Sequence, residues 1–446
     1  MQEVIPVKKR MYRRTQVKDV SVEWLLEKVP EPVVIVALDV AKHAMVSAFA
    51  GEGAGVASTV SFRQPDQSAA WLALVAGLMK AGKQVQAVME PSGSYGDGLR
   101  HRLRELGATV YRVGSKRTHD AAELFDAVPS MHDAKAAAVL VRLHLSGLST
   151  PWVEPTESIR ELSSALSTMS LHQDHYLRNL NVLEALLSRH WPELLEHVEL
   201  TSASMLALVS RLGGPSEVAS APQRATSLLR GMSHGLMRAE RIAGAIGSAA
   251  QTLGAPMLAA ETQRLQHLAE ELHRTLKAYK RARQAVIELG QRMPEVAQLG
   301  AVVGMTTAAV LVAEVGSPQQ FVCAQAYVKA LGLNLREKSS GARTGRPSLT
   351  KRGSARARMV LWMAVLRWVQ TDEVVRAWYQ RKVERDGGRK MAALAALMRK
   401  LAKALYHVGR GEALDVRKLF DCERLGIDAA STPQSMPALD AMEVAM

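Results

Sequence analysis

The chain has 446 residues, and its 57 Lys and Arg against 43 Asp and Glu give a formal net charge of +14. Apolar residues make up 48% of the sequence, which is enough for several buried cores and excludes a wholly disordered chain. Two cysteines exclude a disulfide framework, and no apolar run reaches the roughly 18 residues of a membrane-spanning helix. We therefore expect a cytoplasmic protein of several domains, with no membrane partner, whose positive charge favours nucleic acid.

Residues 1–32 are predicted to form a basic N-terminal arm. Six cations lie between Lys8 and Lys18, with no acidic residue among them. Such a run is typical either of a solvated tail or of an arm that contacts phosphate groups, and the sequence leaves both open.

Residues 33–150 alternate between strand and helix patterns. The β-branched run Val33–Leu38 predicts a buried central strand, and segments 44–49 and 56–62 predict two more strands of an antiparallel meander. Two later strands, at 85–89 and 109–113, are separated by predicted helices. The pattern predicts an α/β domain with a mixed sheet.

Residues 156–293 are predicted to be wholly helical. Mostly apolar residues recur at spacings of three and four from Ile159 to Leu187 and again from Leu265 to Met293. Each row lasts about four heptads, which predicts a long antiparallel coiled coil with a small helical tip over 190–257. An ordinary bundle of two long helices would give nearly the same pattern.

Residues 294–410 are predicted to form a helical C-terminal domain, and residues 411–446 a weakly patterned C-terminal tail. The segment Val303–Ala308 lies between two apolar stretches and has the pattern of a helix-hairpin-helix turn. In such a turn the amide of Gly304 would bind a DNA phosphate; the simpler interpretation is an ordinary helix–helix turn.

Three acidic residues follow the pattern of a metal site. Asp39 and Glu90 each end a predicted central strand, where carboxylates of one sheet edge converge, and Asp133 begins a predicted helix. Asp126 lies seven residues before Asp133. These acids could hold paired Mg²⁺ ions that stabilise the attacking and leaving oxygens of a phosphoryl transfer. The simpler interpretation makes Asp133 a helix N-cap and the other acids turn formers.

Residues 336–358 form a strongly basic loop that contains two adjacent serines. Eight basic residues stand there against one acid, and the loop includes Gly341, Gly345 and Gly353. One interpretation is a flexible loop that contacts nucleic acid; the other makes Ser339 or Ser340 a nucleophile activated by surrounding positive charge. The cations expected to bind phosphates are Arg336, Lys338, Arg343, Arg346, Lys351, Arg352 and Arg356.

Together these residues resemble the insertion-sequence transposases that carry an N-terminal DEDD domain and a C-terminal serine-bearing domain, the bridge-RNA-guided recombinases. The resemblance covers residues 33–405 and depends on the order of its segments around the coiled-coil middle. The segments are Ala37–Lys42, Met89–Tyr95, His132–Lys135, Val303–Met305 with Ala308, and Ser340–Gly341 followed by Lys351–Gly353.

The resemblance implies an RNase H-like first domain, similar to Holliday-junction resolvases, and four metal-binding acids. Asp39, Glu90 and Asp133 match three of them. The family has an aspartate where this sequence has Ser130, so either Asp126 substitutes from the same loop or the site has three acids. The family's serine nucleophile matches Ser340, with Ser339 as the adjacent alternative.

The implied reaction is cleavage and rejoining of DNA strands through a covalent phosphoserine, with Mg²⁺ as cofactor at a composite site between domains or subunits. The implied partners are DNA, a structured noncoding RNA, and further copies of the chain in a dimer or tetramer. Two other classes stay open at this point. A structure-specific nuclease would need the acids but not Ser340, and a non-catalytic nucleic-acid-binding protein would need neither.

Overall fold

The computed structural model describes residues 13–53, 55–91, 93–125, 127–337, 345 and 347–426. They divide into two compact units, one within residues 1–154 and the other within residues 155–446. Among the described residues, no helix combines the length and apolar character needed to cross a membrane.

The first unit is a seven-stranded sheet with helices on both faces. Its elements are β1 (Arg14–Gln16), α1 (Val22–Lys28), β2 (Val33–Asp39), β3 (Ala44–Gly51), β4 (Val56–Arg63), α2 (Ser68–Lys80), β5 (Gln84–Met89), α3 (Asp97–Glu105), β6 (Thr109–Arg112), α4 (Ser115–Asp120), α5 (Asp133–Leu145) and β7 (Thr150–Pro151).

The strand order of this sheet is β1-β4-β3-β2-β5-β6-β7. Strands β2, β3 and β4 form an antiparallel meander, while β5 runs parallel to β2 and β6 runs parallel to β5. The predicted α/β domain with a mixed sheet and a three-stranded meander is confirmed.

Strand β2 is buried on both faces, and its side chains alternate between two cores. Val34, Val36 and Leu38 pack with Trp71 of α2, whereas Ile35 and Ala37 pack against α5. The alternation explains the unbroken apolar run in this strand, since successive side chains of a strand point to opposite faces.

The segment predicted as an N-terminal arm is partly folded into the first unit. Strand β1 pairs in parallel with β4, and Val17, Leu25 and Val29 are buried in the core. Burial of these apolar side chains fixes residues 14–29 to the sheet. The basic residues Lys8, Lys9 and Arg10 lie outside the described part of the chain.

The second unit is built mainly from helices. Its elements are α6 (Glu157–His190), α7 (Leu194–His197), α8 (Ala203–Leu212), α9 (Pro215–Ser220), α10 (Pro222–Met232), α11 (Ala239–Ala250), α12 (Ala259–Gln291), α13 (Pro294–Val303), α14 (Met305–Val315), α15 (Ala324–Ala330), β8 (Leu335–Arg336), β9 (Ser348–Leu349), α16 (Ala355–Thr371), α17 (Glu373–Arg385), α18 (Lys390–Val408), α19 (Val416–Leu419) and α20 (Cys422–Leu425).

The long helices α6 and α12 form an antiparallel pair. Leu162, near the start of α6, shares a core with Val286, near the end of α12. Arg189, at the end of α6, lies 3.7 Å from Glu261, at the start of α12. The short helices α7–α11 surround the tip of the pair, as predicted for residues 190–257. Whether the pair has the side-chain packing of a coiled coil stays a prediction.

The base of the helix pair and the C-terminal helices share one core. Leu162 and Val286 of the pair belong to the same core as Leu401 of α18, and both segments, 156–293 and 294–410, lie within one compact unit. Val416 and Phe420, within the predicted tail, are buried in the same core. Their apolar side chains anchor residues 416–422, and residues 427–446 lie outside the described chain.

Candidate active site

Two predicted acids lie side by side at the edge of the first unit's sheet. In the parallel pair β2–β5, Leu38 is the partner of Met89, so Asp39 and Glu90 follow at the same level on adjacent strands. Asp39 continues the alternation of Ile35 and Ala37, and Glu90 continues that of Gln86 and Val88. Both side chains therefore lie on the α5 face of the sheet.

The third acid begins helix α5, which packs on that same face. Asp133 is the first residue of the helix, and the His132 side chain caps it by accepting the amide of Lys135 at 3.3 Å. Asp133 is therefore not the N-cap that the simpler interpretation assigned. Its carboxylate lies 3.3 Å from the guanidinium of Arg14, and both side chains are about half exposed.

The three acids line one cleft of about 800 Å³. Its other polar lining residues come from α4, the segment after α4, and the residue before α5: Ser115, Thr118, His119, Asp120, Glu123 and His132. His119, Asp120 and Glu123 were not predicted from the sequence. No periodicity marks these residues in the sequence, because only the packing of α4 beside α5 brings them to the cleft.

The electrostatics of the cleft are unfavourable for a third negative charge. Burial, and then the neighbouring Asp133 and Glu90, raise the pKa of the Asp39 carboxyl to about 6. Asp133 and Glu90 therefore both lie near enough to Asp39 to disfavour its charge. A divalent cation would relieve this repulsion, since oxygen ligands of this kind are those that Mg²⁺ prefers.

The described carboxylate oxygens of this cleft are of the chemical type that Mg²⁺ prefers, but they are not arranged to coordinate one ion. Within the described ranges, no three Asp, Glu, His or Cys side chains lie close enough to hold one metal ion. Asp133 is turned to Arg14, and Asp126, the fourth predicted ligand, lies outside the described residues. Coordination by all three described acids would therefore require their side chains to move together.

A buried lysine holds the loop that borders the cleft. Lys135 is 1% exposed, and its ammonium donates a hydrogen bond to the carbonyl oxygen of Val128 at 2.6 Å. This contact fixes the segment before α5 to the helix, so Lys135 positions the rim of the cleft. A lysine inside an alanine-rich helix is the signal in the sequence that could have identified it.

The serine loop of the second unit is described only at its base. Ser339, Ser340, Lys338, Arg343 and Arg346 all lie outside the described residues. At the base, β8 pairs with β9 in an antiparallel ladder, and the Thr350 amide donates to the carbonyl of Asn334 at 2.7 Å. The chain therefore enters and leaves the loop at one short two-stranded stem.

Three predicted phosphate-binding cations are exposed at this stem. They are Arg336, Lys351 and Arg352, and Arg352 also lines a cavity of about 490 Å³ beside the stem. Lys329 of α15 lines the same cavity, although it was not predicted from the sequence. The described stem thus presents positive charge on the side of the cavity.

Gly353 is required by the protein's own backbone. A Cβ atom at this position would lie 2.3 Å from the carbonyl oxygen of Ala330 and 2.8 Å from the amide nitrogen of Gly332. The backbone after the stem therefore packs directly on the end of α15. The predicted role of this glycine, close approach to a phosphate, is not needed to explain it.

Two residues predicted to bind nucleic acid have partners within the second unit. The guanidinium of Arg356 donates to the carbonyl of Leu166 at 2.9 Å and lies 3.6 Å from the Glu314 carboxylate. The amide of Gly304 donates to the carbonyl of Gly300 at 2.9 Å, and Gly304 is buried between α13 and α14. Arg356 therefore ties α16 to α6, and Gly304 lies in a helix–helix turn, while binding of nucleic acid by either residue stays a prediction.

A known family matches part of the second unit. Residues 301–380 match the family model described as Transposase IS116/IS110/IS902 family. The chain is therefore an enzyme that acts in DNA transposition or recombination. More narrowly, the stretch from the end of α13 into α17, with the whole serine loop, is similar to the insertion-sequence transposases of that family. No curated protein matches the chain.

Proposed function

We propose that this transposase cleaves and rejoins DNA strands with Ser340 as nucleophile and with an acidic Mg²⁺ site at Asp39, Glu90 and Asp133. The observation that carries the proposal is the transposase match over residues 301–380, because it spans the basic serine loop. The acid cleft of the first unit supports it. The strand order around β2, with a three-stranded meander and two parallel strands beyond it, supports an RNase H-like fold for that unit.

In the proposed reaction the Oγ atom of Ser340 attacks the phosphorus of a DNA phosphodiester. A serine–phosphorus bond forms as the bond to the leaving deoxyribose oxygen breaks, and that oxygen gains the proton that the serine loses. The phosphoserine keeps the energy of the broken ester, so a second strand end can reverse the step and be joined. The loop's cations, Lys351 and Arg352 among the described ones, stabilise the charge on the phosphoryl oxygens.

The three acids, with Asp126 as the proposed fourth ligand, would hold Mg²⁺, which supplies charge neutralisation at the phosphodiester oxygens when bound. Asp39 is central to this role. Its elevated pKa supports this role, because burial and neighbouring carboxylates favour compensation of its charge by a proton or by a cation. Arg14 compensates Asp133 in the present arrangement, and we propose that metal binding replaces this contact.

A structured noncoding RNA that selects the DNA, and assembly into a dimer or tetramer, complete the proposal. The net charge of +14 supports an RNA partner through phosphate contacts. The antiparallel pair α6–α12 offers a long surface for assembly.

The test is the trapping of a covalent protein–DNA adduct. Wild-type protein with Mg²⁺ should form an adduct that survives denaturation, and Ser340→Ala should lose it while still binding DNA. Loss of a nucleophile should reduce turnover by several orders of magnitude, whereas loss of one neutral hydrogen bond costs about tenfold. Ser339→Ala is the matched control. A full yield of adduct with Ser340→Ala, lost instead with Ser339→Ala, would move the nucleophile by one residue.

The acid cleft itself favours a second candidate, a metal-dependent nuclease that hydrolyses branched DNA without the serine. The variants Asp39→Asn and Ser340→Ala separate the two. The proposed transposase loses strand cleavage in both, whereas the nuclease loses it only with Asp39→Asn.

A further inference from the structure

A second concave and basic site lies in the C-terminal part of the second unit. It is a pocket of about 450 Å³ between α17, α18 and residues 419–425. Five of its lining side chains are cations, Arg381, Lys382, Arg385, Lys400 and Arg424, and one is a carboxylate, Asp421. It shares no lining residue with the cavity beside the serine loop.

The positive charge of this pocket is only partly compensated. The Asp421 side chain accepts the backbone amide of Arg424 at 3.1 Å as a helix cap. Asp386 contacts the ammonium of Lys382 and lies 3.7 Å from Nε of Arg385. Within the described part of the chain, Lys400 and Arg424 have no carboxylate within 4 Å. The pocket therefore attracts a ligand with negative charge.

Aromatic rings form one wall of the pocket and fix its central cation. The Lys400 ammonium lies 4.8 Å from the centre of the Phe420 ring and 5.5 Å from that of Trp378. It also donates to the carbonyl oxygen of Leu419 at 2.5 Å. Burial, and then the charge of Lys403, lower the pKa of Lys400. An anion beside this ammonium would offset both effects.

We propose that this pocket binds a phosphodiester of single-stranded nucleic acid, with the phosphate between Lys400, Arg385 and Arg424 and the sugar or base against Trp378. The combination of cations with an aromatic surface is the one that binds single strands, because each nucleotide carries a charge and a planar ring. The inference rests on the proposed function only in that the chain handles nucleic acid strands.

The shape of the pocket favours a single strand over a duplex. The phosphates of a duplex lie on a convex surface and its bases are stacked inside, so a duplex reaches the rim and not the aromatic wall. An unpaired nucleotide can enter a pocket of this volume with both its phosphate and its ring.

The experiment measures binding of short labelled strands to the full chain by fluorescence anisotropy. The probes are RNA and DNA single strands of about 12 nucleotides and a DNA duplex of the same sequence. The test variant is Arg385→Glu with Arg424→Glu, two exposed side chains at the pocket. The matched control is Arg224→Glu with Arg230→Glu, two exposed arginines of α10 with the same change of charge.

The test variant should bind single strands at least tenfold more weakly than the control, because its glutamates cannot donate charged hydrogen bonds to phosphate. The slope of log affinity against log salt should fall by about 0.7 for each phosphate that the variant no longer neutralises. Arg385→Lys with Arg424→Lys should keep most of the affinity. Weaker binding of RNA alone, or of DNA alone, identifies which strand the pocket holds and supports the assignment in either case.

Equal weakening in the test and control variants, or weakening for the duplex alone, would overturn the pocket assignment. An acidic protein segment would then be the better occupant. The adduct assay keeps this result separate from the proposed function. If the pocket assignment is wrong, Ser340-dependent cleavage is unaffected. If the serine mechanism is wrong, the test variant still binds single strands more weakly than the control.

Discussion

Replacing Asp39 by asparagine should stabilise the first unit at neutral pH when no divalent cation is present. The cleft raises the pKa of Asp39 from an ordinary 3.8 to about 6, so the folded state binds this proton more tightly than the unfolded state does. The unfolding free energy of the wild-type unit therefore falls as pH rises from about 4 to about 6, and it stays lower above that range. An amide at position 39 carries no charge and avoids this loss.

The size of the effect follows from the change in pKa. Two pKa units correspond to about 3 kcal/mol, at about 1.4 kcal/mol for each unit. Asp39 is only partly buried, and solvent screening reduces the expected gain to about 1–2 kcal/mol at pH 7. The gain should vanish below about pH 4, where both states of the wild-type protein are protonated.

Hydrogen exchange in strands β2 and β5 measures this difference in the intact chain, because comparison of the two proteins at one pH cancels the intrinsic exchange rates. Adding Mg²⁺ should protect the wild-type strands and leave Asp39→Asn almost unchanged. Glu27→Gln, an exposed amide substitution in α1, is the matched control. An Asp39→Asn unit that is less stable than wild type, by an amount independent of pH, would refute the reasoning.

Three further outcomes are expected. Arg356→Ala should lower the unfolding free energy of the second unit by about 1–3 kcal/mol, because it leaves the Leu166 carbonyl and Glu314 without their partner. Lys351→Ala is the control and should leave this free energy unchanged. Equal effects of the two substitutions in denaturant unfolding would contradict the internal role of Arg356. Ser47→Ala should lower the unfolding free energy of the first unit by about 1–3 kcal/mol, because the buried Trp71 indole donates to Ser47 Oγ at 2.8 Å. Unchanged hydrogen exchange in β3 would rule out this loss of stability. Neutralising Arg343, Arg346, Lys351 and Arg352 together should reduce the salt slope of nucleic-acid binding by about 3, at 0.7–0.9 for each phosphate, and a slope equal to that of wild type would remove the loop from the binding surface.

The centre of the first unit's sheet was predictable, because β2, β3 and β5 are largely apolar runs that end at, or just before, a glycine or an acidic residue. The run Val33–Leu38 predicts a strand buried on both faces, and the structure places Asp39 and Glu90 at one edge, as expected from parallel pairing of β2 with β5. The folding of residues 14–29 onto the sheet was not predicted, because neighbouring charged residues mask the apolar pattern of this segment. Its four buried apolar side chains are spread among exposed polar residues.

The candidate site was less predictable than the fold, because long-range partners decide the role of a polar side chain. Arg356 lies in a run of basic residues, yet its guanidinium donates a hydrogen bond to Ser170 of α6, which is 186 residues away in sequence. Arg14 belongs to the basic arm that the sequence leaves open as a solvated tail or a phosphate-contacting segment, yet it lies beside Asp133, which is 119 residues away in sequence. The amide of Gly304 donates to a carbonyl of the preceding helix. No local sequence pattern distinguishes such a turn from one whose amides are free to bind a phosphate.

The stacked pair Tyr176–Tyr279 lies halfway along the helix pair, with ring centres 5.9 Å apart and planes at 1°. Tyr279 packs against the core at the base and also against the core at the tip. At about 1.5 Å for each of its 34 residues, α6 is about 50 Å long, which exceeds the roughly 35 Å of one turn of duplex DNA. The second unit therefore has two packed cores near opposite ends of a helix pair that is longer than one turn of duplex DNA.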